Sequence, residues 1–342
     1  MSLKNLSAKN RIPNLLKEKL DKKKIKEIYK KFEKSVDINE NFAVAVSGGP
    51  DSLALAFLAK IYSIKRKLNS KFFIVDHKLR PESSKEANHI KSLLKKNLIN
   101  SEILTWKGKK PQKNIQSKAR IARYELLFKK CEKLKINNIL LGHHQDDLIE
   151  NFFIRMLRGS GLKGLISLDK KTKIDGRFLI RPLLDQNKTD LVYLSKEVFN
   201  FYVKDPTNES DKYQRIRVRK LIDELEKDGL DKKKISQTLK NLKYSNEVVN
   251  FYVDKNLNEN AFFKKKDNKL VLNKIFFEQP YEIIFRSLSE SLRLIGKKYY
   301  SVRGKKIDKI IKDFEKNQFL RVTLGGCIIE KVNQTVIIYK EH

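Results

Sequence analysis

Three short clusters in this 342-residue chain carry side chains able to do chemistry. The first is Ser47-Gly48-Gly49-Pro50-Asp51-Ser52, set between the apolar run Phe42-Ala43-Val44-Ala45-Val46 and the apolar pattern of 53–64. A buried strand that stops at two glycines and restarts as a helix makes an anion site. The glycines let the backbone bend sharply and leave no Cβ against an anion, and the first-turn amides and helix dipole face the bend. Ser47 and Ser52 add hydroxyl donors. Asp51 would repel a bare phosphate, so its presence calls for a cation, Mg²⁺ held between its carboxylate and phosphate oxygens. At this bend neither the GxxxxGK(S/T) nor the GxGxxG spacing is present. A plain strand–turn–helix link would account for a bare SGG, but not for all six residues.

The other clusters are Asp76-His77 and the stretch from His143-His144 to Asp147 and Glu150. All three fall where predicted strands end, and ligands of an open parallel sheet bind outside the carboxyl ends of its strands. One pocket lined by all three would hold a nucleotide triphosphate and its acceptor, with Asp76 and His77 beside adenine and ribose. Asp147 and Glu150 are three apart and share a helix face, which suits an ammonium. The same spacing fits an acidic first turn with Asp146 as N-cap. At least one of the two histidines is expected to face the phosphates or the base. His143 is the candidate catalytic residue, although a packed, hydrogen-bonded histidine would look the same in sequence.

Positioning these clusters requires alternating strands and helices. Apolar spacing from Leu15 to Phe32 predicts a leading helix within 1–40. Strands are predicted at 42–46, 71–77, 101–106 and 137–144, with helices after 52, over 84–97 and 114–134, and from about 146. Residues 158–168 are glycine-rich, a loop with short helical pieces. A strand at 177–185, a helix from 188, a basic loop at 205–220 and helical pattern to about 253 follow. The last segments read as antiparallel strands. The expected class is α/β, an open, mostly parallel sheet with helices on both faces. A smaller helical or α+β domain comes after it, with a boundary near 220.

Lys+Arg is 75 against 41 Asp+Glu, a formal charge of +34, which favours a polyanionic partner such as nucleic acid. Lysine far outnumbers arginine, and Asn and Ile are abundant, which is also what an AT-rich coding sequence produces whatever the protein does, and the even spread of the excess locates no surface. Arg155, Arg158, Lys163, Arg181, Arg215, Arg217 and Arg219 flank the expected pocket mouth in sequence and are the candidate RNA contacts. Individually each also reads as a solvated surface charge. Cys131 and Cys327 are far apart and form no zinc or disulfide framework. No apolar run is long enough to cross a membrane and no apolar signal core opens the chain, so a cytoplasmic protein is expected.

AVAVSGGPDSLAL resembles the PP-loop family of ATP pyrophosphatases, which share the adenine nucleotide alpha hydrolase-like fold. VDHKLRPESSKEA, ARIARYELL, LGHHQDDLIENFFIRMLRGSGLKGL, RPLLD and DPTNESDKYQRIRVR follow in order, and together they resemble the tRNA(Ile)-lysidine synthase branch over about residues 40–220. The resemblance implies that 1–220 is the ATP-binding catalytic domain and 221–342 a tRNA substrate-recognition domain. It implies that ATP activates the wobble cytidine of a CAU-anticodon tRNA(Ile), releasing pyrophosphate, and that free L-lysine then displaces AMP. Mg²⁺ would sit on Asp51, lysine on Asp147 and Glu150, and Arg123 beside the reacting cytidine. Members commonly dimerise, which makes a homodimer an expectation. Alternatives are a cytidine thiolase of the same family, which usually needs a cysteine pair or an iron–sulfur cluster, a non-catalytic RNA-binding protein, and a small-molecule amidating synthetase.

Overall fold

The computed structural model of the protein describes residues 11–108, 115–203, 214–264, 268–297, 302, 304–316 and 321–341. The chain divides into two compact units, the first ending at Ser236 and the second beginning at Gln237.

The first unit opens with α1 (Asn14–Asp21) and α2 (Lys23–Ser35), two helices where one was expected, separated at Lys22. Residues 1–10 of that expectation lie outside the described residues. The sheet follows: β1 (Phe42–Val46), α3 (Pro50–Lys65), β2 (Ser70–Asp76), α4 (Ser83–Lys96), β3 (Ser101–Thr105), α5 (Ile115–Lys133) and β4 (Asn138–Leu140). Next come α6 (Gln145–Met156), the short α7 (Leu162–Leu165), β5 (Lys171–Ile174), β6 (Arg177–Ile180), α8 (Lys188–Phe199) and α9 (Gln214–Lys227). Strand order is β3-β2-β1-β4-β6-β5. All neighbours run parallel except the β5–β6 edge pair.

Strand alternation explains the two covered faces. Phe42, Val44 and Val46 of β1 pack in a core with α1, α2, α3 and α8, whereas Ala43 packs with Phe73, Leu127, Cys131 and Ile139 on the opposite face. Helix α3 is buried around most of its circumference because it runs between the sheet and α8. The strand after α5 is shorter than its apolar run, ending at Leu140. Beyond it Gly142 passes so close to the Asp51 backbone that an added Cβ would lie 3.1 Å from it. The β5 strand, Lys-Thr-Lys-Ile, was not expected, because its alternating lysines carry no apolar signal and it lies at the sheet edge.

Arg215, Arg217 and Arg219 fall on α9 and not in a loop. Residues 205–213 of the expected loop lie outside the described residues. Helix α9 packs on α6 through Val218 and Ile222 against Ile149 and Phe153, each side chain contributing about 2 kcal/mol by burial. That packing keeps α9 within the first unit, where the sequence pattern puts a boundary near 220.

Helix α10 (Lys232–Asn260) leads to β7 (Ala261–Lys264) and β8 (Lys269–Leu272). Helices α11 (Tyr281–Gly296) and α12 (Gly304–Glu315) and strands β9 (Arg321–Leu324), β10 (Cys327–Val332) and β11 (Thr335–Lys340) complete the second unit. Its antiparallel sheet has the order β7-β8-β11-β10-β9. Leu272, Ile329 and Ile338 pack one sheet face on Leu288 and Leu292 of α11 and Ile307 and Ile311 of α12. Among the described residues no helix is long and apolar enough to cross a membrane.

Candidate active site

The chain turns from one side of β1 to the other between β3 and β4, so the carboxyl ends of β1 and β4 form the switch point where such sheets bind ligands. An open cleft of about 630 Å³ lies there. It is lined by the 47–52 loop (Gly48 excepted), by His77 and Arg80 after β2, by Arg120, Arg123 and Tyr124 of α5, by His143, His144 and Asp147, and by Lys188 and Arg219.

Gly48 sits at φ +85°, and an added Cβ would run into the Ile90 side chain, so only glycine fits. Ser52 holds the loop shut from within. Its Oγ accepts from the Ser47 and Gly48 amides, both at 3.1 Å, and donates to the Gly49 carbonyl at 3.0 Å. The expectation that Ser52 offers its hydroxyl to phosphate is therefore corrected: that hydroxyl is spent on the loop. Pro50 lacks an N–H and occupies the first turn of α3. The Asp51 and Ser52 amides have no intrahelical acceptor there, which leaves them to the cleft.

Asp51 Oδ1 is buried with no hydrogen-bond partner. Oδ2 lies 3.6 Å from His144 Nε2. Burial, reinforced by the charge of Asp147, holds the Asp51 carboxyl above the usual carboxylate range against the pull of His144 and Lys188. An orphaned carboxylate oxygen beside an anion-binding bend fits a divalent cation. Among the described residues no three His, Cys, Asp or Glu side chains are arranged as a metal cage. A lone carboxylate of this kind suits Mg²⁺, which takes one or two carboxylates and fills its shell with water and phosphate oxygens.

The two histidines differ in role. His144 caps α6: its Nδ1 accepts from the Asp146 amide at 3.2 Å, and its own amide donates to Asp147 Oδ2 at 3.0 Å. His143 lines the cleft with a buried Nδ1 that has no partner. Burial, aided by Arg181, Arg120 and Arg215 and opposed by Asp147, pushes its pKa down to about 4, so it is neutral at pH 7. His77 also lines the cleft, and burial followed by Arg123 and Arg80 lowers its pKa. Asp76 does not line it. Its carboxylate accepts from Ser83 at 2.8 Å, Ser84 at 2.6 Å and the Lys78 amide at 3.0 Å. Burial opposes that charge, but these bonds outweigh it and hold the carboxyl low. Asp76 thus fastens the loop after β2, a correction to its expected place at the ribose.

Asp147 and Glu150 do share one face of α6, and α9 sets cations on both. Arg215 bridges them, its Nη2 on Asp147 Oδ1 and its Nε on Glu150 Oε2. Arg219 Nε donates to Glu150 Oε1 at 2.6 Å. Burial opposes the charge on Asp147, and His144 and Arg215 outweigh it, leaving the carboxyl below its usual range.

The basic residues separate by environment. Arg158 and Lys163 are exposed, with Arg158 donating to Gln214 Oε1, and Arg155 is half-buried. Arg217 is exposed on α9. Arg181 is only 5% exposed and ties β6 to β5, its Nη1 donating to the Asp169 carbonyl at 2.7 Å and Thr172 Oγ1 at 2.9 Å. It is a structural arginine and offers RNA no contact. Sequence reasoning missed Arg120 and Tyr124, which line the cleft one helical turn from each other with the guanidinium 5.2 Å from the ring. The i, i+4 spacing in ARIARY carries that signal. It also missed Lys188, which opens α8 and lines both this cleft and a smaller cavity of about 240 Å³ beside Glu150. Only tertiary packing reveals it.

A family model for the PP-loop domain matches residues 17–225. The tRNA(Ile)-lysidine synthase of Orientia tsutsugamushi (strain Boryong) is 35% identical over 316 residues, covering 89% of this chain and 70% of that protein. The enzyme of the same name from Wolbachia sp. subsp. Brugia malayi (strain TRS) is 33% identical over 310 residues, covering 89% and 71%. In fold, the chain is similar to the U34-tRNA thiolase NcsA from Methanococcus maripaludis with its [4Fe-4S] cluster, at a TM-score of 0.56 and 22% identity over 65% of this chain and 80% of that one.

Proposed function

This chain belongs to the tRNA(Ile)-lysidine synthase family of PP-loop proteins, and we propose that it joins the ε-amine of free L-lysine to C2 of the wobble cytidine in a CAU-anticodon tRNA(Ile), consuming ATP. The observation that carries the reading is an anion-binding bend with an orphaned carboxylate in the cleft that Asp147 also lines, Asp147 sharing Arg215 with the buried Glu150 of the smaller cavity.

The bend and first-turn amides of α3 cradle the triphosphate. Mg²⁺ on Asp51 would neutralise charge on the departing pyrophosphate. Cytidine O2 attacks the α-phosphorus, pyrophosphate leaves, and an adenylated cytidine results. Arg123 and Arg120 on the facing wall offset the negative charge of the transferring group. Neutral His143 lines the same cleft, placed to hold the base or the α-phosphate. Asp147 and Glu150 then grip the ammonium of lysine. After the ammonium gives a proton to water in the open cleft, the neutral amine attacks C2, and AMP leaves with the C2–O2 bond electrons. Holding both partners in one cleft supplies much of the rate by orientation alone. Exposed Arg158, Lys163 and Arg217 serve the phosphate backbone, so affinity for tRNA falls with salt. A reaction on tRNA fed by free lysine and ATP belongs to the cytoplasm.

The direct test incubates the protein with ATP, Mg²⁺, labelled lysine and a CAU-anticodon tRNA(Ile) transcript. Label in the RNA, with AMP and pyrophosphate in equal amount, is the expected result. Adenylation of the RNA without label would remove lysine as the acceptor amine. The thiolase reading is disfavoured by its cysteines. Cys131 is buried behind the sheet with its thiol pushed up to about 11, and Cys327 is buried in the second unit.

A further inference from the structure

The acidic pair assigned to lysine is full in this structure. Asp147 Oδ1 takes Arg215 Nη2 and Oδ2 takes the His144 amide. Glu150 Oε2 takes Arg215 Nε and Oε1 takes Arg219 Nε. An incoming ammonium meets four engaged oxygens. The two carboxylates are 12% and 4% exposed, and carboxylates so buried are costly to leave without a cation. Some positive group must therefore stand on them in every state of the enzyme.

The two arginines are not equivalent. Arg219 holds Glu150 one helical turn further along α9 and is 28% exposed. Arg215 lies at the first turn of α9 and remains 43% exposed while it spans both carboxylates. Its guanidinium reaches water by turning outward, at little cost in solvation. If it does, the freed oxygens are Asp147 Oδ1 and Glu150 Oε2, one from each carboxylate, while Arg219 and the His144 amide keep the other two. An ammonium has three donors and can satisfy both freed oxygens at once. One positive charge replaces another, and neither carboxylate is stranded.

We propose that Arg215 is the resident cation of the amine subsite: in the lysine-free protein it sits on the two carboxylate oxygens that the lysine ammonium takes, so that lysine binding and release of the first turn of α9 are one event. The inference rests on the lysine reading above and deepens it. Arg215 thereby leaves the set of residues expected to bind tRNA in the resting enzyme. The exchange also lets a cleft that must accept a polyanionic triphosphate keep its acidic pair neutralised beforehand. A subsite blocked nine-tenths of the time binds its ligand about tenfold more weakly than the open one.

The test measures labelled lysine binding by equilibrium dialysis without tRNA, in the full chain and in Arg215→Gln. Hydrogen exchange of 214–221 is followed in the unaltered chain with and without lysine. The proposal expects Arg215→Gln to bind lysine about tenfold more tightly, and lysine to speed exchange in the first turns of α9. In Glu150→Gln lysine should leave that exchange unchanged. Equal or weaker binding by Arg215→Gln, with exchange unmoved or slowed by lysine, overturns it and makes Arg215 a fixed wall of the site. Should Arg215→Gln fail to fold, the exchange measurement on the unaltered chain decides alone. Failure here while label still enters RNA removes only the arginine exchange. Failure of label to enter RNA removes the lysine reading itself.

Discussion

The two ends of the site are built on opposite plans. At the phosphate end, the bend is set in advance: Ser52 binds three backbone groups of the loop, Gly48 adopts a conformation only glycine tolerates, and Asp51 keeps an unsatisfied oxygen. At the amine end every carboxylate oxygen already has a donor. One end keeps an unsatisfied carboxylate oxygen and the other has every carboxylate oxygen engaged. The physical reason lies in the ligands. A triphosphate brings its own charge and its own cation, so its cradle can be polar and keep an oxygen unsatisfied. A single ammonium must be received by buried carboxylates, and those cannot wait uncompensated.

The largest effect should come from breaking the phosphate end. Asp51→Ala should lower ATP-dependent pyrophosphate release by about 10³-fold, the scale of losing a charge partner at a developing anion. Filter binding of tRNA should barely change. Near-normal release would show that the orphaned carboxylate holds no cation that matters. Next, Glu150→Gln should raise KM for lysine by about 10²-fold, in line with removing one partner of a buried charge pair. ATP–pyrophosphate exchange should stay close to normal per folded molecule. If both steps fall together, the ends are not separable. Ser52→Ala should be milder, raising KM for ATP by about tenfold and costing ~1–3 kcal/mol of stability as the buried Gly48 amide and the partly buried Ser47 amide lose their acceptor.

Titration sharpens the same contrast, because the two carboxyls shift in opposite directions. Asp51 has a raised pKa in the folded protein. What the group contributes to stability is present below its unfolded pKa and is lost as pH rises through the raised folded value. At neutral pH the chain carries that penalty, so Asp51→Asn should raise Tm at pH 7–8, with the gain closing as the pH falls toward 4. Asp147 has a lowered pKa. Its contribution is present above the unfolded carboxyl pKa and is lost as pH falls through the folded value. Asp147→Asn should lower Tm at neutral pH, the deficit shrinking on acidification. Thermal melts across pH check both; shifts of the same sign would mean the two ends share one electrostatic environment.

The phosphate end was legible in the sequence because its parts are contiguous. A buried strand, two glycines and an apolar helix within a few residues state the geometry, and Phe42–Val46 forms a strand over the expected span. What sequence could not state was direction. Ser52 has the right chemistry for phosphate and turns it inward. Asp76 stands at a strand end as expected, yet it is satisfied by Ser83 and Ser84. Arg181 counts as a basic residue near the pocket in sequence and is buried beneath it in space. The amine end was half legible. The spacing of Asp147 and Glu150 marks one helix face, but their partners Arg215 and Arg219 lie more than sixty residues away and meet them only because Val218 and Ile222 pack on Ile149 and Phe153. Local pattern carries contiguous sites, whereas a site closed by two distant helices is visible only once their apolar faces are paired.

The smallest effect should come from the cysteines, which belong to neither end. Cys131 packs against Leu127 and Ile139 on the far side of the sheet, and burial pushes its thiol up to about 11, so no thiolate forms near neutral pH. Cys327 sits in the second unit with its Sγ 3.4 Å from the Leu292 carbonyl, to which it donates. Serine is nearly the same size but brings a hydroxyl that is costly to bury. Cys131→Ser should therefore cost ~1–2 kcal/mol of stability, while Cys327→Ser keeps its acceptor and should cost less. The double variant should join lysine to RNA at an unchanged rate per folded molecule, read by labelled lysine alongside a thermal melt. A large loss of that rate in protein whose melt shows it folded would move the chemistry onto sulfur, and with it the reading of the acidic pair as an amine grip.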